Sequence, residues 1–367
     1  MKNNKEAIKY FDLFGGIGGF HQAAISIKAK DYKLEHAVYC EIDPQARLLY
    51  NEFISKKDKN FQTITDAKEI KTHKNINGKE LKSFDLLFAG FPCQSFSNVG
   101  YRKGLNDERG QLFYTILDVL DYYKPKYFVL ENVQKLSTIK KGELLEEMKS
   151  ALKSVGDGYK LYVWDLISSD YGLPQKRKRL FFCGVKENEN LPNFLNEPPK
   201  IELEKSTYPT VWHLLEKNNV DEKHYIPSGT RKTVLYKNPK WQGDVNIDNH
   251  IARPLTASMS KWHRANQDNY FSDTYIKSKN PLIRPNVDIE TEKIRRITPL
   301  EGYRIQGFPD IFNEKAKELG LSYSTQYRLI GNAVPVSLAK NVIEYFLDNC
   351  NGNKTNSRRV QFASECS

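Results

Sequence analysis

Short apolar runs alternate with longer amphipathic stretches through the first 185 residues of the chain. The apolar runs predict strands at Ile8–Phe14, Leu34–Cys40, Phe84–Ala89, Tyr127–Glu131, Tyr159–Leu166 and Arg179–Val185. The amphipathic stretches predict helices at Gly18–Lys28, Pro44–Phe53, Leu112–Tyr123 and Gly142–Val155. This alternation is typical of an α/β fold, a mostly parallel sheet with helices on both faces. Ligands of such sheets bind where strands end, so polar residues there are the first candidates for chemistry.

The pattern changes near Glu187. From there to about Asp288 the chain is rich in Asn, Pro, Lys and Tyr and shows little periodicity, which predicts a smaller unit of loops and short strands. Regular patterning returns at Arg295–Phe308 and in a predicted last helix, Pro335–Asn349. We therefore expect one domain formed by 1–186 and 295–350, a second formed by 187–294, and a frayed polar tail at 351–367.

Composition narrows the class of protein. The chain has 367 residues, 39% of them hydrophobic, which predicts a folded protein of about two domains. A formal charge of +11 favours a polyanionic partner such as nucleic acid. The five cysteines form no CxxC pair, which argues against disulfides or a zinc site and for a reducing compartment. With neither a membrane-length apolar run nor a signal peptide, we expect a cytoplasmic protein that uses no metal.

The first strand runs into a glycine-rich turn, FDLFGGIGGF, at 11–20. Its GGxGG order differs from the GxGxxG of dinucleotide sites, and Asp12 before it suits a cationic ligand better than a phosphate. Taken alone, the turn could merely pack a helix against a strand. Glu41 after the second strand is placed to hold ribose hydroxyls, and Asp66 is suited to an adenine amino group. Together these residues outline a nucleoside that carries an amino acid, S-adenosylmethionine.

Three further stretches carry candidate chemistry. Cys93 lies in GFPCQSFS after a predicted strand, in a tight, polar setting unlike that of most buried cysteines. Glu131 and Asn132 end another apolar run, so Glu131 is either a rim salt bridge or an acid poised for proton transfer. The basic stretch QKRKR at 175–179 is either a solvated loop or a contact to phosphate.

These stretches, with RRITPLEGYRIQGFP at 295–309 and QYRLIGNAVP at 326–335, resemble the ordered motif series of DNA cytosine-C5 methyltransferases of the bacterial restriction-modification type. The resemblance covers about 1–186 and 295–346. It implies a Rossmann-like S-adenosylmethionine-dependent methyltransferase domain with a smaller, irregular target-recognition domain. It also implies methyl transfer to C5 of a flipped-out cytosine in duplex DNA through a covalent bond from Cys93 to C6.

The resemblance also implies roles for individual residues. Cys93 would attack C6, Glu131 would bind the N3–N4 edge, and Arg177 and Arg179 would hold the nucleophile region and the base O2. Phe14 would stack on adenine, and the cofactor pocket as a whole would comprise Asp12, Phe14, Gly15, Gly16, Ile17, Gly18, Gly19, Glu41, Ile42, Asp66, Ala67, Pro92, Leu112, Asn332 and Val334. Two departures concern this pocket: Ile42 replaces a bulky aromatic of many relatives, and TDA at 65–67 replaces the usual Gly-Asp-hydrophobic sequence.

The residue types also follow from the chemistry. Cytosine C5 is a poor nucleophile, and addition of a thiolate at C6 makes it an enamine carbon able to attack a sulfonium methyl. An acid held neutral at N3 eases that addition. Because a stacked base cannot present C6 to a thiol, the base must leave the helix.

The DNA-binding candidates lie in two segments. The glycine-punctuated loop 98–111 would close over the DNA, and 230–285 contains ten lysine and arginine residues against four aspartates, interleaved with aromatic side chains. The candidates for contacts with DNA are Gln94, Ser97, Arg102, Lys103, Arg109, Arg253, Lys261, Trp262, Arg264 and Gln267.

Two alternatives remain at this point. A tRNA cytosine-C5 methyltransferase would share the fold, but GFPCQSFS and about 100 recognition residues favour DNA. A catalytically inactive DNA-binding relative would not need Cys93, Glu131 and Arg179 together. We expect a monomer that acts on double-stranded DNA at the nucleoid. A cognate restriction endonuclease, encoded separately, would be its partner in a restriction-modification system.

Overall fold

The structure is a computed structural model that describes residues 5–54, 61–70, 75–76, 79–91, 111–187, 196–236 and 246–350. Its strands are β1 Glu6–Leu13, β2 Tyr32–Cys40, β3 Gln62–Ile64, β4 Asn75–Ile76, β5 Lys79–Glu80, β6 Leu86–Gly90, β7 Tyr127–Val133, β8 Tyr159–Ile167, β9 Lys178–Lys186, β10 Tyr270–Ser272 and β11 Ile294–Arg296. Its helices are α1 Gly19–Ser26, α2 Pro44–Asn51, α3 Gln111–Tyr123, α4 Glu143–Ser154, α5 Ser228–Leu235, α6 Asp273–Ile276, α7 Pro299–Ile305, α8 Ile311–Glu318, α9 Tyr323–Asn332 and α10 Val336–Cys350.

Seven strands form the central sheet, in the order β3-β2-β1-β6-β7-β9-β8. The first five are parallel, and β9 runs antiparallel to both of its neighbours. All ten elements predicted in the first half are present, with ends within two residues of those expected. The predicted α/β class with a mostly parallel sheet is therefore confirmed.

Helices cover both faces of this sheet, as predicted. One core contains Phe20 of α1, Leu49 of α2 and Val342 of α10, and the other contains Ile116 of α3 and Leu144 of α4. Side chains alternate between the two cores along each buried strand because neighbouring residues of a strand point to opposite faces. The carboxyl ends of the five parallel strands meet at one edge, and the candidates Asp12, Glu41 and Glu131 lie there.

The segment 187–294 is more closely joined to the main domain than its irregular sequence indicates. A small core of its own includes Val234, Ala265 and Tyr270. Other residues of the segment, such as Leu255 and Phe271, belong to the core that also covers the sheet. The expected domain boundary after residue 294 falls inside β11, which pairs with β10 of the segment. The two-domain division remains a prediction.

Candidate active site

Four candidate positions lie at the carboxyl ends of neighbouring parallel strands. Asp12 is the penultimate residue of β1, Glu41 follows β2, Gly90 ends β6, and Glu131 lies in β7 opposite Gly90. The sequence predicted this clustering at strand ends. It results from the parallel register, which brings all four ends to the same edge of the sheet.

The glycine-rich turn after β1 is shaped by positive φ angles and by one close approach. Gly16 has φ +54° and Gly18 has φ +90°, backbone angles that residues with a Cβ rarely adopt. At Gly19, an added Cβ would lie 2.4 Å from the main-chain oxygen of Val334. A glycine is therefore required where α1 begins, because the C-terminal part of the chain packs directly against it.

Glu41 ties this turn to the start of α2. Its carboxylate accepts hydrogen bonds from the Gly16 amide at 2.9 Å and from the Asp43 amide at 2.8 Å. Burial raises the pKa of Glu41, while these two amide bonds act in the opposite direction. The neighbouring Ile42 has 67% of its surface exposed, an apolar side chain left uncovered beside the turn.

Asp12 lies beneath the turn and is completely buried. Its Oδ2 accepts a hydrogen bond from the Tyr50 hydroxyl at 3.2 Å, while its buried Oδ1 has no hydrogen-bond partner among the described residues. Burial, together with the nearby Glu41, raises the pKa of Asp12 to about 7 against the lowering effect of the Tyr50 hydrogen bond. The Asp12 side chain thus has no exposed atom through which a ligand above the turn could touch it.

The other predicted cofactor residues surround the same edge. Asp66 follows β3, is half-buried and accepts a hydrogen bond from the Lys68 amide at 2.9 Å. Val334 lies against both Gly19 and Gly90, so the C-terminal part of the chain packs against the glycine-rich turn. The remaining candidates include the half-buried Phe14 and Leu112, the buried Ile17 and Ala67, and the exposed Asn332.

Glu131 and Arg179 form an ion pair at the end of the sheet. Arg179 Nε lies 2.5 Å from Glu131 Oε1, and the two side chains are 11% and 9% exposed. The other carboxylate oxygen points toward Gly90, where an added Cβ would lie 3.7 Å from Oε2. The acid is thus held by one oxygen and directs the second toward the strand end that leads to Cys93.

Asn132 anchors the chain just before the predicted nucleophile. Its Nδ2 donates to the Phe91 carbonyl at 3.0 Å, and the side chain is almost fully buried. The sequence drew attention to Asn132 only as a neighbour of Glu131, although a buried amide at a strand end is itself a signal, because such groups must find partners. Several predicted residues, namely Pro92, Cys93, Gln94, Ser97, Arg102, Lys103 and Arg109, lie outside the described residues.

Arg177 is used differently from Arg179. Its guanidinium donates to the carbonyls of Leu255 at 2.7 Å, Gly331 at 2.9 Å and Ala333 at 3.1 Å. Burial lowers its pKa, and so does the neighbouring Arg179. These contacts join the segment 187–294 to the C-terminal motif, so in this structure Arg177 links parts of the chain and does not face an open pocket.

The segment 187–294 is fastened to the main domain at two further places. Ala252 exchanges main-chain hydrogen bonds with the strand-like stretch before Arg177, through Pro174 at 2.7 Å and Lys176 at 2.8 Å. The guanidinium of Arg296 lies 3.4 Å from the centroid of the Trp262 ring, a cation–π contact. Trp262 is therefore half-buried and committed to an internal contact on one face.

The other predicted DNA-binding residues of this segment differ in how far their side chains are exposed to solvent. Arg253 braces the turn that follows it, because its Nε donates to the Ala265 carbonyl at 3.1 Å. Lys261 and Gln267 are exposed, and Arg264 is half-buried. The turn 261–267 thus presents polar side chains at its surface while Arg253 supports it from behind.

The described residues contain no group of three or more His, Cys, Asp or Glu side chains arranged to hold a metal ion. None of the helices described there is long and apolar enough to cross a membrane.

Comparison with protein families gives one match across most of the chain. The model of the family described as C-5 cytosine-specific DNA methylase matches residues 8–347. Similar curated proteins include the type II methyltransferase M.DsaV of Dactylococcopsis salina, 31% identical over 94% of this chain and 87% of that protein. The type II methyltransferase M.NgoBI of Neisseria gonorrhoeae is 31% identical over 89% of each chain.

Solved structures show the same fold at lower identity. The Entamoeba histolytica methyltransferase EhMeth superimposes with a TM-score of 0.68 at 23% identity, covering 94% of this chain and 99% of that one. The Dnmt2 methyltransferase of S. pombe gives a TM-score of 0.69 at 20% identity, with the same coverage. At these identities the likeness supports the fold alone.

Proposed function

The chain belongs to the C-5 cytosine-specific DNA methylase family and is a DNA cytosine-C5 methyltransferase, and on that premise we propose how its residues carry the reaction. The tRNA alternative is not supported by these similarities. The cofactor, the roles of single residues and the division into two domains are the parts proposed.

The proposed cofactor is S-adenosylmethionine, which supplies an electrophilic methyl group when bound. The residues at the sheet edge fit such a ligand, because they combine acids with an uncovered apolar side chain. Glu41 would hold the ribose hydroxyls and Asp66 the adenine amino group, with Phe14 and Ile42 against the adenine ring. Val334 would close the pocket from the C-terminal side, next to the glycine-rich turn.

The proposed reaction begins with Cys93. Its thiolate would add to C6 of the flipped-out cytosine, and the ring electrons would move to C5, which would take the methyl group as the bond from that carbon to the sulfonium sulfur breaks and leaves a neutral thioether. Glu131 hydrogen-bonds the N3–N4 edge through Oε2, while Arg179 holds Oε1 and reaches the base O2. A base removes the C5 proton, the bond from Cys93 to C6 breaks, and the aromatic ring of 5-methylcytosine is restored.

One observation supports this assignment most directly: the consecutive residues Glu131 and Asn132 both contact the segment that leads to Cys93. Glu131 Oε2 points toward Gly90, and Asn132 holds the Phe91 carbonyl at 3.0 Å. The chain segment that leads to Cys93 therefore starts beside the acid that would bind the base. The Arg177 bonds to three carbonyls support a positioning role for that residue.

DNA recognition is proposed to lie in 187–294 and in the loop that carries Arg102, Lys103 and Arg109. The exposed Lys261 and Gln267 and the half-buried Arg264 are the described side chains of the segment best placed to reach base edges or phosphates. Arg253 and Trp262 would support this turn. We propose a monomer in the cytoplasm, with a separately encoded endonuclease as partner.

The test is methyl transfer by the purified chain. With labelled S-adenosylmethionine, we expect label in duplex DNA and none in tRNA, and bisulfite sequencing of the DNA should give one site with one modified cytosine. Label in tRNA alone, or methylation on an exocyclic nitrogen, would overturn the proposal. An inactive DNA-binding relative would show binding without label.

A further inference from the structure

Two stacked tyrosines support the glycine-rich turn from below. The rings of Tyr39 and Tyr50 are nearly parallel, with centroids 3.7 Å apart and an interplanar angle of 17°. An added Cβ at Gly15 would lie 2.9 Å from Tyr39, and one at Gly18 would lie 2.9 Å from Tyr50. The two rings therefore fill the space directly under the turn that is proposed to receive the cofactor.

Their hydroxyl groups have different partners. The Tyr39 hydroxyl donates to the Gly16 carbonyl at 2.8 Å, a neutral group of the turn itself. The Tyr50 hydroxyl donates to Asp12 Oδ2 at 3.2 Å, and His36 Nε2 lies 3.2 Å from the same phenol oxygen. Because the phenol has one proton and gives it to Asp12, His36 must donate its Nε2 proton to Tyr50. The three side chains form a hydrogen-bond chain directed at Asp12.

The surroundings of Asp12 contain no compensating cation among these neighbours. Burial lowers the pKa of His36 to about 3 and that of His21 to about 4, so both rings are neutral near pH 7. Glu41 adds a second negative charge nearby. The titratable groups that face Asp12 from β1, β2, α1 and α2 are Tyr10, His36, Tyr39, Glu41, His21 and Tyr50. An ionised Asp12 is thus a buried negative charge with no cationic side chain among these neighbours.

We propose that Tyr50 is a positioning residue for the cofactor: its hydroxyl holds the Asp12 carboxylate beneath the glycine-rich turn, where its negative charge attracts a cationic ligand. This inference rests on the proposed use of S-adenosylmethionine. That cofactor carries a net charge of about +1 near neutral pH, whereas the product S-adenosylhomocysteine is neutral overall, because loss of the methyl group removes the sulfonium charge. The charge of Asp12 therefore favours the cofactor over the product.

The test measures binding of both ligands by calorimetry at several pH values, with Tyr39→Phe as the matched control. Tyr50→Phe removes a bond that favours the ionised carboxylate, so its affinity for S-adenosylmethionine should fall by about fivefold to tenfold at pH 7. Its affinity for S-adenosylhomocysteine should change less than about twofold by the same argument. Tyr39→Phe, which loses a bond to a neutral carbonyl, should weaken both ligands alike.

The pH profile gives a second readout. The pKa of Asp12 is about 7, so wild-type affinity for the cationic cofactor should rise with pH across that value as the carboxyl loses its proton. Tyr50→Phe should move this rise to higher pH, Asp12→Asn should abolish it, and Tyr39→Phe should leave it in place. Urea unfolding of each variant checks that the fold is retained.

Two results would overturn the proposal. In the first, Tyr50→Phe weakens both ligands equally and keeps the wild-type pH profile, which would make the ring a space-filling group. In the second, Tyr50→Phe binds as wild type does. A wild-type protein that binds neither ligand would instead contradict the proposed cofactor, and this inference with it.

Discussion

Arg179 Nε lies 2.5 Å from Glu131 Oε1, on adjacent antiparallel strands of the sheet. The pair fixes one carboxylate oxygen and leaves the other directed toward Gly90. Substitutions that alter this geometry should affect the chemical step more than binding of the cofactor.

Glu131→Gln keeps the size of the side chain but removes its charge and its ability to exchange a proton. We expect kcat to fall by about 10²- to 10⁴-fold, with the affinity for cofactor unchanged. Arg179→Lys, which cannot keep the same planar contact, should show a smaller loss of the same kind. Glu146→Gln, at an exposed position of α4, is the control. A Glu131→Gln enzyme with wild-type kcat would contradict the assigned role.

Cys93→Ala tests the proposed nucleophile. The variant should bind cofactor and DNA but transfer no methyl group, because no other thiol is placed by the same motif. Duplex DNA with 5-fluorocytosine at the target should trap wild type in a covalent adduct visible on a denaturing gel, since fluorine blocks loss from C5. Methyl transfer by Cys93→Ala near the wild-type rate would rule out the mechanism.

Arg177→Met separates positioning from chemistry. The substitution removes the donor of the Leu255 and Gly331 carbonyls, while the Ala333 carbonyl keeps the Gln306 amide at 3.4 Å, and each buried unsatisfied group costs about 1–3 kcal/mol. We expect the free energy of unfolding to fall by about 2–5 kcal/mol, measured by urea titration, whereas Arg179→Lys should unfold nearly as wild type does. If Arg177→Met kept wild-type stability and lost only kcat, Arg177 would belong with the reacting groups.

Arg264→Ala and Gln267→Ala test the recognition turn. If either side chain makes a bidentate base contact, its loss should relax discrimination at one base pair by about 1–3 kcal/mol, with cofactor affinity unchanged. Methylation of a library of single-base variants of the site measures this. Lys103→Ala offers a contrast, because loss of a phosphate contact should weaken all sequences alike and reduce the salt dependence of binding. Loss of cofactor binding in Gln267→Ala would contradict the proposed division of labour.

The buried His21 ring should make the free energy of unfolding depend on pH in the acid range. Its Nδ1 is hydrogen-bonded to the Tyr10 hydroxyl at 2.8 Å, and burial lowers its pKa from 6.5 to about 4. Between pH 6.5 and about pH 4, His21 is therefore protonated in the unfolded chain but neutral in the folded chain. This stabilisation is present above pH 6.5 and is lost as the pH falls toward 4.

The measurement compares wild type with His21→Gln by urea unfolding at several pH values. The free energy of wild type relative to the variant should fall by up to about 3 kcal/mol from pH 7 to pH 4. A difference that does not change with pH would show that His21 is not a buried neutral ring.

The sheet and its helices were predictable because their periodicity is strong and uninterrupted. β3 was missed because only three residues, Gln62–Ile64, form it, too few for a pattern. α8 and α9 were missed because their polar sequences become helical through packing and through caps such as Ser322, which accepts from the Thr325 amide. The family was predicted from the order of its motifs, and the match over residues 8–347 confirms it.

The sequence indicated which residues belong to the candidate site, but it did not indicate which partners those residues contact. Alternation along the chain places Arg177 and Arg179 on the same buried side, yet Arg177 binds three carbonyls and Arg179 pairs with Glu131. Asp12 was expected to face a ligand, and its complete burial under the turn could not be inferred from its position before two glycines. Such partners depend on residues far away in the sequence, which no local pattern encodes.

The contact between Gly19 and Val334 has a consequence for how the protein is made. α1 packs against α10, so the first helix of the chain lacks its packing partner until the last helix has been synthesised. A ribosome releases the glycine-rich turn and every proposed reacting side chain long before it reaches Val334. Until then one wall of the proposed cofactor pocket is missing, so we expect a nascent chain to be inactive although its proposed reacting groups are complete. We therefore expect methylation only after synthesis has passed the C-terminal motif.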